Sequence, residues 1–284
     1  MTELTRNSYA KVNIGLKVLE KRPDGYHDLD TYFHLIDLHD VIHFLFDKSS
    51  ELSIDISGNE SYLEKGRMDL MEKSARLFSS LSGIKFRLNI RIEKNIPSQA
   101  GLGGGSGNAA SVLEVLNELC LSPFSRKELA DISLALGSDV PFFLCGSAAA
   151  HGQGRGEILS PLTPVSYPLL VVQRTSDKVD TASAFRRLDE RCADDVRCLP
   201  PWTVDVSAWQ KLYSNDFDII QPVLENAFYI AERENALYSS TSGSGSSQIL
   251  VYDNNCELNE AYNRFSALGS CFTVWKTKLR NNIH

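Results

Sequence analysis

The chain has 284 residues, of which 43% are hydrophobic and 23% charged, and a formal net charge of -7. That length favours two domains over one, and the composition is that of a globular protein with no disordered tail. The acidic balance, with no block of consecutive lysines or arginines, excludes the electrostatic footprint of a nucleic-acid or anionic-membrane binder, so any bound phosphate must be recognised by local groups.

From Lys11 to Val18 apolar and polar residues alternate strictly, which predicts a half-buried strand with Lys11 and Asn13 on its polar face. The turn signal Pro23-Asp24-Gly25 follows, then an apolar run from Tyr32 to Phe46 and a short alternation at Leu52, Ile54 and Ile56, a β-rich beginning. Leu70, Ala75, Leu77, Phe78 and Leu81 have helical spacing, whereas Phe86, Leu88, Ile90 and Ile92 alternate as a strand. Past a glycine-rich loop, Ala109, Val112, Leu113, Leu116 and Leu119 form a helical stripe. Ser125 with Glu128 reads as a capping box for a helix ending near Gly137, immediately before GSDVPFF.

From Pro161 the texture changes, and three prolines lead into the apolar strand Leu169 to Val172. The domain boundary is therefore expected there, giving domains 1–160 and 161–284. Helical patterns over Thr181–Leu188, Gln221–Arg233 and Asn259–Leu268 alternate with strands over Gln248–Tyr252 and Cys271–Lys276, an α+β texture. The segment SSTSGSGSS, residues 239–247, reads from composition alone as a flexible linker.

No apolar run approaches the roughly 18 residues of a membrane span, and the polar start MTELTRNSYAK lacks a signal-peptide core, so a cytoplasmic protein is expected. Cys120, Cys145, Cys192, Cys198, Cys256 and Cys271 are scattered without a CxxC pair and read as reduced thiols. His34, His39 and His43, with Asp37 and Asp40, hint at a metal site. The strand-like pattern separates them, and no metal ligand is assigned.

Gly101, Gly103, Gly104 and Gly105 stand directly before a helix that opens with Ser106, Gly107 and Asn108. Glycines let a backbone approach a ligand, and the unpaired amides and dipole of a helix start favour an anion. A phosphate fits. The spacing matches neither GxxxxGK[ST] nor GxGxxG, so those two nucleotide folds are not supported. Asp139, between Gly137 and Pro141, reads as a simple N-cap on spacing alone, and Lys11 as a solvated strand lysine.

The string PSQAGLGGGSGNAA resembles the second motif of the GHMP kinases, the superfamily of galactokinase, homoserine kinase and mevalonate kinase. The start AKVNIGLKVLEKRPDGYH and the segment LALGSDVPFFL resemble one branch, whose members phosphorylate a cytidylyl alcohol, and residues 241–247 match the third motif. The match runs in order from Ala10 to about Ser247. The resemblance implies a two-domain α+β GHMP kinase fold, with an N-terminal ribosomal-protein-like α/β domain, a C-terminal ferredoxin-like α+β domain and the active site in the cleft between them. It implies ATP as phosphoryl donor, with Mg2+ accompanying the nucleotide, and a small cytidylyl substrate. A monomer or weak homodimer is expected. The rivals are a GHMP kinase of the homoserine or mevalonate type and a catalytically silent nucleotide-binding regulator.

Carried over position by position, the resemblance places the catalytic pair on Lys11 and Asp139. It places ATP against Lys94, Pro97, Ser98, Gln99, Ala100, Gly101, Leu102, Gly103, Gly104, Gly105, Ser106 and Gly107. Substrate contacts fall on Asn13, Tyr26, His27, Phe185, Ser242, Gly243, Ser244 and Gly245, with the Tyr26 and Phe185 rings on opposite faces of the cytosine and His27 hydrogen-bonded to it. Gly107 stands where the family usually has a second serine, and Asp69 where the branch often has asparagine. For Lys94 the alternative is a solvated charge at a strand end. For Tyr26 and His27 it is a turn aromatic and a surface histidine.

Overall fold

The computed structural model describes residues 1–59, 69–174, 181–190, 198–219, 233, 235–269 and 272–283. Cys192, Cys271 and nearly all of the helix expected over 221–233 lie outside them. Two compact units emerge, one formed by residues 1–10, 38–98 and 103–146, the other by 11–37, 99–102 and 147–284. The long strands β1 (Thr2–Lys21) and β2 (His27–Lys48) each contribute residues to both.

In the first unit β3 (Ser53–Gly58) pairs parallel with β4 (Phe86–Glu93), Ile54 opposite Leu88. β4 pairs antiparallel with the second half of β2, Phe44 opposite Ile90. The predicted alternation is realised, since Phe86, Leu88, Ile90 and Ile92 are all buried. They pack with Phe44, Phe46, Phe78 of α1 (Leu70–Ser82) and Val112, Leu113 and Leu116 of α2 (Gly104–Leu119). Helix α1 begins at Asp69, whose carboxylate accepts from the Met71 amide at 2.6 Å, and ends at Gly83 in the left-handed conformation. The Ser125–Glu128 capping box forms at α3 (Arg126–Ser133), and α4 (Val140–Leu144) starts with Pro141 in its first turn.

In the second unit the first half of β2 pairs with β5 (Ala149–Gly154), and β5 with β6 (Ile158–Pro161). A separate antiparallel sheet runs in the order β10 (Phe272–Lys278), β7 (Pro168–Arg174), β9 (Ser247–Val251), β8 (Tyr238–Thr241). Among its described residues this unit also contains the short helices α5 (Thr181–Asp189) and α6 (Trp209–Leu212). Helix α7 (Asn255–Ser266), capped by Asn254, lays Leu258, Ala261 and Phe265 onto Leu170, Val172 and Leu250. The linker-like SSTSGSGSS is in fact strand, tight turn and strand, with Ser239 to Ser242 buried. His34 is fully buried: Nδ1 donates to the Leu35 carbonyl and Nε2 accepts from the Val165 amide. Burial pushes its pKa down to about 4, which makes it a neutral structural tie with no nitrogen left for a metal.

Candidate active site

On β1 the expected polar face turns inward: Lys11 is 3% and Asn13 1% exposed. A buried ammonium is costly unless it is held, and here a relay holds it. Lys11 Nζ donates to Asn13 Oδ1 at 2.8 Å, Asn13 Nδ2 donates to Thr31 Oγ1 at 2.9 Å, and that hydroxyl donates to the Gly15 carbonyl at 2.7 Å. The Phe33 ring lies 5.3 Å from the ammonium. Every rotatable bond that could swing Asn13 away is thereby opposed, and the ammonium is fixed to β1 by hydrogen bonds at a defined place.

The same unit brings the second and third glycine-rich segments together. Gly101 has a φ of +75°, and a Cβ there would sit 2.0 Å from the Ser242 carbonyl oxygen, so only glycine fits. Ser242 Oγ donates to the Gly101 carbonyl at 3.0 Å, and a Cβ on Gly245 would lie 2.6 Å from the Gly101 nitrogen. Two backbones thus touch without intervening side chains. The turn is braced from behind by Asn215, whose Nδ2 donates to the carbonyls of Thr241 and Gly243. Asp218 accepts from the Thr241 amide. Lys11 is tied to this loop through its own amide, which donates to the Leu102 carbonyl at 2.9 Å.

In the first unit α2 starts from Gly103, φ +67°, with no capping hydrogen bond from a side chain, so its first amides face outward unserved by a cap. The glycines differ in why they are there. A Cβ on Gly104 would meet Ile96 Cγ2 at 2.9 Å, and one on Gly107 the Tyr9 carbonyl at 2.9 Å and Ser8 Oγ at 3.0 Å; these two are packing glycines. Among the described residues a Cβ on Gly105 would meet only Leu70 Cδ1 at 3.6 Å, an ordinary contact, so none of them requires glycine there. The departure at Gly107 therefore concerns the seating of α2 on β1.

Lys94 is not a solvated strand-end charge. Its side chain is 10% exposed and its ammonium donates to Asp40 at 2.7 Å and to the Ile96 carbonyl at 2.5 Å. Burial lowers its pKa, an effect that Asp40 opposes. Asp40 also accepts from the amides of Asn95 and Ile96 and from Asn108 Nδ2. One carboxylate thus joins the end of β4, the following loop and the first turns of α2. Asp69, at the start of α1, serves as a cap, a role asparagine fills equally well. Asp139 occupies the N-cap position of α4, yet the helix takes no capping hydrogen bond from that carboxylate, so the simple capping reading does not account for it.

Toward the expected substrate end, all in the second unit, His27 is buried and its Nε2 lies 2.7 Å from Asp189 Oδ1, while its ring stacks on Phe185 at 5.2 Å and 17°. Phe185 is set edge-on against Phe217. Tyr26 is exposed, with the Arg155 guanidinium 4.5 Å over its ring. Ser244 Oγ donates to Thr181 Oγ1 at 3.1 Å, tying the third glycine-rich turn to the start of α5. Thr31, Asp189, Asn215 and Asp218 escaped the sequence reading, and Asp40 entered it only beside the histidines of a metal site that was not assigned. Only Asp189 left a signal, being four residues beyond Phe185 and hence on the same helix face.

Among the described residues no three His, Cys, Asp or Glu side chains gather to hold a metal ion, and no helix is long and apolar enough to cross a membrane. Residues 69–147 match the model of the GHMP kinases N terminal domain. The chain is 34% identical over 281 residues, 94% of each chain, to the 4-diphosphocytidyl-2-C-methyl-D-erythritol kinase of Alkaliphilus metalliredigens (strain QYMF). A crystal structure of 4-(cytidine 5'-diphospho)-2C-methyl-D-erythritol kinase is similar with a TM-score of 0.78 at 29% identity, over 97% of this chain and 99% of that one. The mevalonate kinase of Methanococcus jannaschii shares the fold alone, with a TM-score of 0.70 at 11% identity, over 98% of this chain and 99% of that one.

Proposed function

We propose a division of labour among these residues from the premise that the chain belongs to the 4-diphosphocytidyl-2-C-methyl-D-erythritol kinase family, within the GHMP kinases. The protein is an ATP-dependent kinase that phosphorylates the 2-hydroxyl of 4-diphosphocytidyl-2-C-methyl-D-erythritol, giving the 2-phosphate and ADP, in the non-mevalonate route to isoprenoids. The observation that carries this is the 34% identity sustained over 94% of both chains.

Phosphoryl transfer needs an aligned hydroxyl, a route for its proton and neutralisation of the phosphate oxygens. Asp139 takes the proton of the substrate alcohol. Lys11, fixed by Asn13 and Thr31, orients and polarises that alcohol. The triphosphate lies on the 97–107 loop and the start of α2, where the uncapped first turn supplies amide donors and the dipole favours an anion. The 97–107 loop and the start of α2 would hold the phosphates that carry a magnesium ion, which would supply neutralisation of the charge on the transferring group. Ser242 to Gly245 approach the substrate or its phosphates through backbone and hydroxyl groups. Lys94 borders the nucleotide from its seat on Asp40. His27, Tyr26 and Phe185 read the cytosine. The functional division of the chain near residue 160 and a cytoplasmic location belong to the same reading.

A coupled ADP-release assay with purified protein, ATP and magnesium tests it against three alcohols. Turnover is expected with the cytidylyl substrate; turnover only with homoserine or mevalonate overturns the reading. The phosphate loop has its own test in Gly105→Ala. Relief of the glycine penalty stabilises the helix start by about 0.5–1 kcal/mol, while the added methyl stands in the path of the phosphates and raises KM for ATP. Denaturation midpoints and ATP titrations measure both. An unchanged KM for ATP would move the phosphates elsewhere.

A further inference from the structure

His27 is the residue that the proposed function assigns to the cytosine edge, and a histidine is informative only if one of its ring nitrogens is committed. In this structure it is. His27, the first residue of β2, is 6% exposed at its side chain, and its Nε2 lies 2.7 Å from Oδ1 of Asp189, the last residue of α5. The second oxygen of Asp189 accepts from Lys21 Nζ at 2.6 Å. The hydrogen bond from Lys21, helped by that from His27, holds the Asp189 carboxyl below its usual range, so it is ionised at neutral pH and can only accept. A carboxylate at Nε2 requires the proton on Nε2. The neutral ring then carries its lone pair on Nδ1, a nitrogen that makes no hydrogen bond with the described residues. Phe185 stacks on the imidazole face at 5.2 Å and is itself buttressed by Phe217, so the ring can neither flip nor tilt without losing a contact.

We infer that Asp189 is a positioning residue for base recognition: it locks His27 as an Nδ1 acceptor, which selects a pyrimidine bearing an exocyclic amine over one bearing a carbonyl at the same place. This inference rests on the proposed function and deepens it. The physical reason for selectivity is asymmetric. A cytosine amine donates to the lone pair on Nδ1. A uracil carbonyl brings a second acceptor against it, which leaves two desolvated lone pairs facing each other. Without the carboxylate, the imidazole is free to carry its proton on Nδ1 and donate to that carbonyl. Nothing in this argument asks Asp189 to touch the substrate.

Asp189→Asn tests it, since an amide can turn its NH2 toward Nε2 and stabilise the opposite tautomer. Asp189 is about one-third exposed and ends its helix, so the variant keeps the fold. Two measurements are made. In protein without substrate, long-range 15N–1H correlations of the histidine rings at mildly alkaline pH are expected to show His27 protonated at Nε2 in the native protein and shifted toward Nδ1 in the variant. In kinetics, the variant is expected to raise KM for the cytidylyl alcohol about five- to tenfold, the value of one net hydrogen bond, with kcat nearly unchanged. Its preference over the uridylyl analogue, as a ratio of kcat/KM values, falls at least about tenfold. A merely structural Asp189 would lower both substrates together and leave the ratio alone, which would overturn the inference. So would a native His27 protonated at Nδ1, even with the kinase reading intact. If the native protein phosphorylates neither compound, the functional reading itself fails and takes the base selectivity with it.

Discussion

Asp139→Asn is expected to lower kcat by about 10²–10⁴-fold while leaving KM for the cytidylyl alcohol nearly unchanged. Asparagine has the shape of aspartate and fills the same N-cap position, and α4 takes no capping hydrogen bond from this side chain in the first place. The isosteric amide keeps the volume of the side chain and can still make polar contacts, so the variant is expected to fold, and what is lost is the ability to accept a proton. Lys11→Met is expected to slow the same step, at an added cost to the β1 relay, because Asn13 Oδ1 loses its donor. If the two residues serve one proton transfer, the double variant is little slower than the slower single one, the non-additivity of groups acting as a unit. Single-turnover kinetics with saturating ATP measure this. Full turnover in Asp139→Asn would remove it from the chemistry.

What could be read beforehand follows from how local each feature is. The alternation at Phe86, Leu88, Ile90 and Ile92, the Ser125–Glu128 box and the helix after the glycines are set by residues a few positions apart, and the structure has them where the periodicity puts them. The polar face of β1 shows the limit of such reasoning. Period-two spacing says that Lys11 and Asn13 share a face, but not that the chain covers that face, and both are buried. Residues 239–247 look like a linker by composition because nothing in the string announces Asn215, Asp218 or Gly101, the groups that turn small side chains into a close backbone contact. The Asp189–His27 pair joins positions 162 apart, and the Asp40–Asn108 pair positions 68 apart. A single sequence without its fold has no term that couples such positions. Family resemblance points to the groups expected to meet the ligands, and is silent on the ones that hold those groups still.

The holding groups carry the largest stability effect expected in this protein. Asp40→Ala should destabilise it by about 3–5 kcal/mol, the usual cost of leaving the partner of a buried ion pair uncompensated. Asp40 is completely buried and accepts four hydrogen bonds, from Lys94, from the amides of Asn95 and Ile96, and from Asn108. Alanine leaves an ammonium, two amides and a carboxamide facing a void. Asn108 Oδ1 has no hydrogen-bond partner among the described residues, so the amide is oriented by what its nitrogen gives to Asp40, and it turns once that acceptor is gone. Against a typical total of about 5–15 kcal/mol, the loss is large enough to show as a shifted urea midpoint with an unchanged slope. The functional effect is separable. Asp40 ties β4 to α2, so loosening it displaces the first turn of the helix, and KM for ATP rises in whatever fraction of the variant remains folded. Adding Lys94→Met removes the stranded charge and should recover part of the stability. It should not recover the ATP affinity, because the amides of Asn95 and Ile96 stay without their acceptor. If Asp40→Ala alone stays within about 1 kcal/mol of the native protein, water has taken over those donors and the loop is positioned by packing of Gly104 on Ile96 instead.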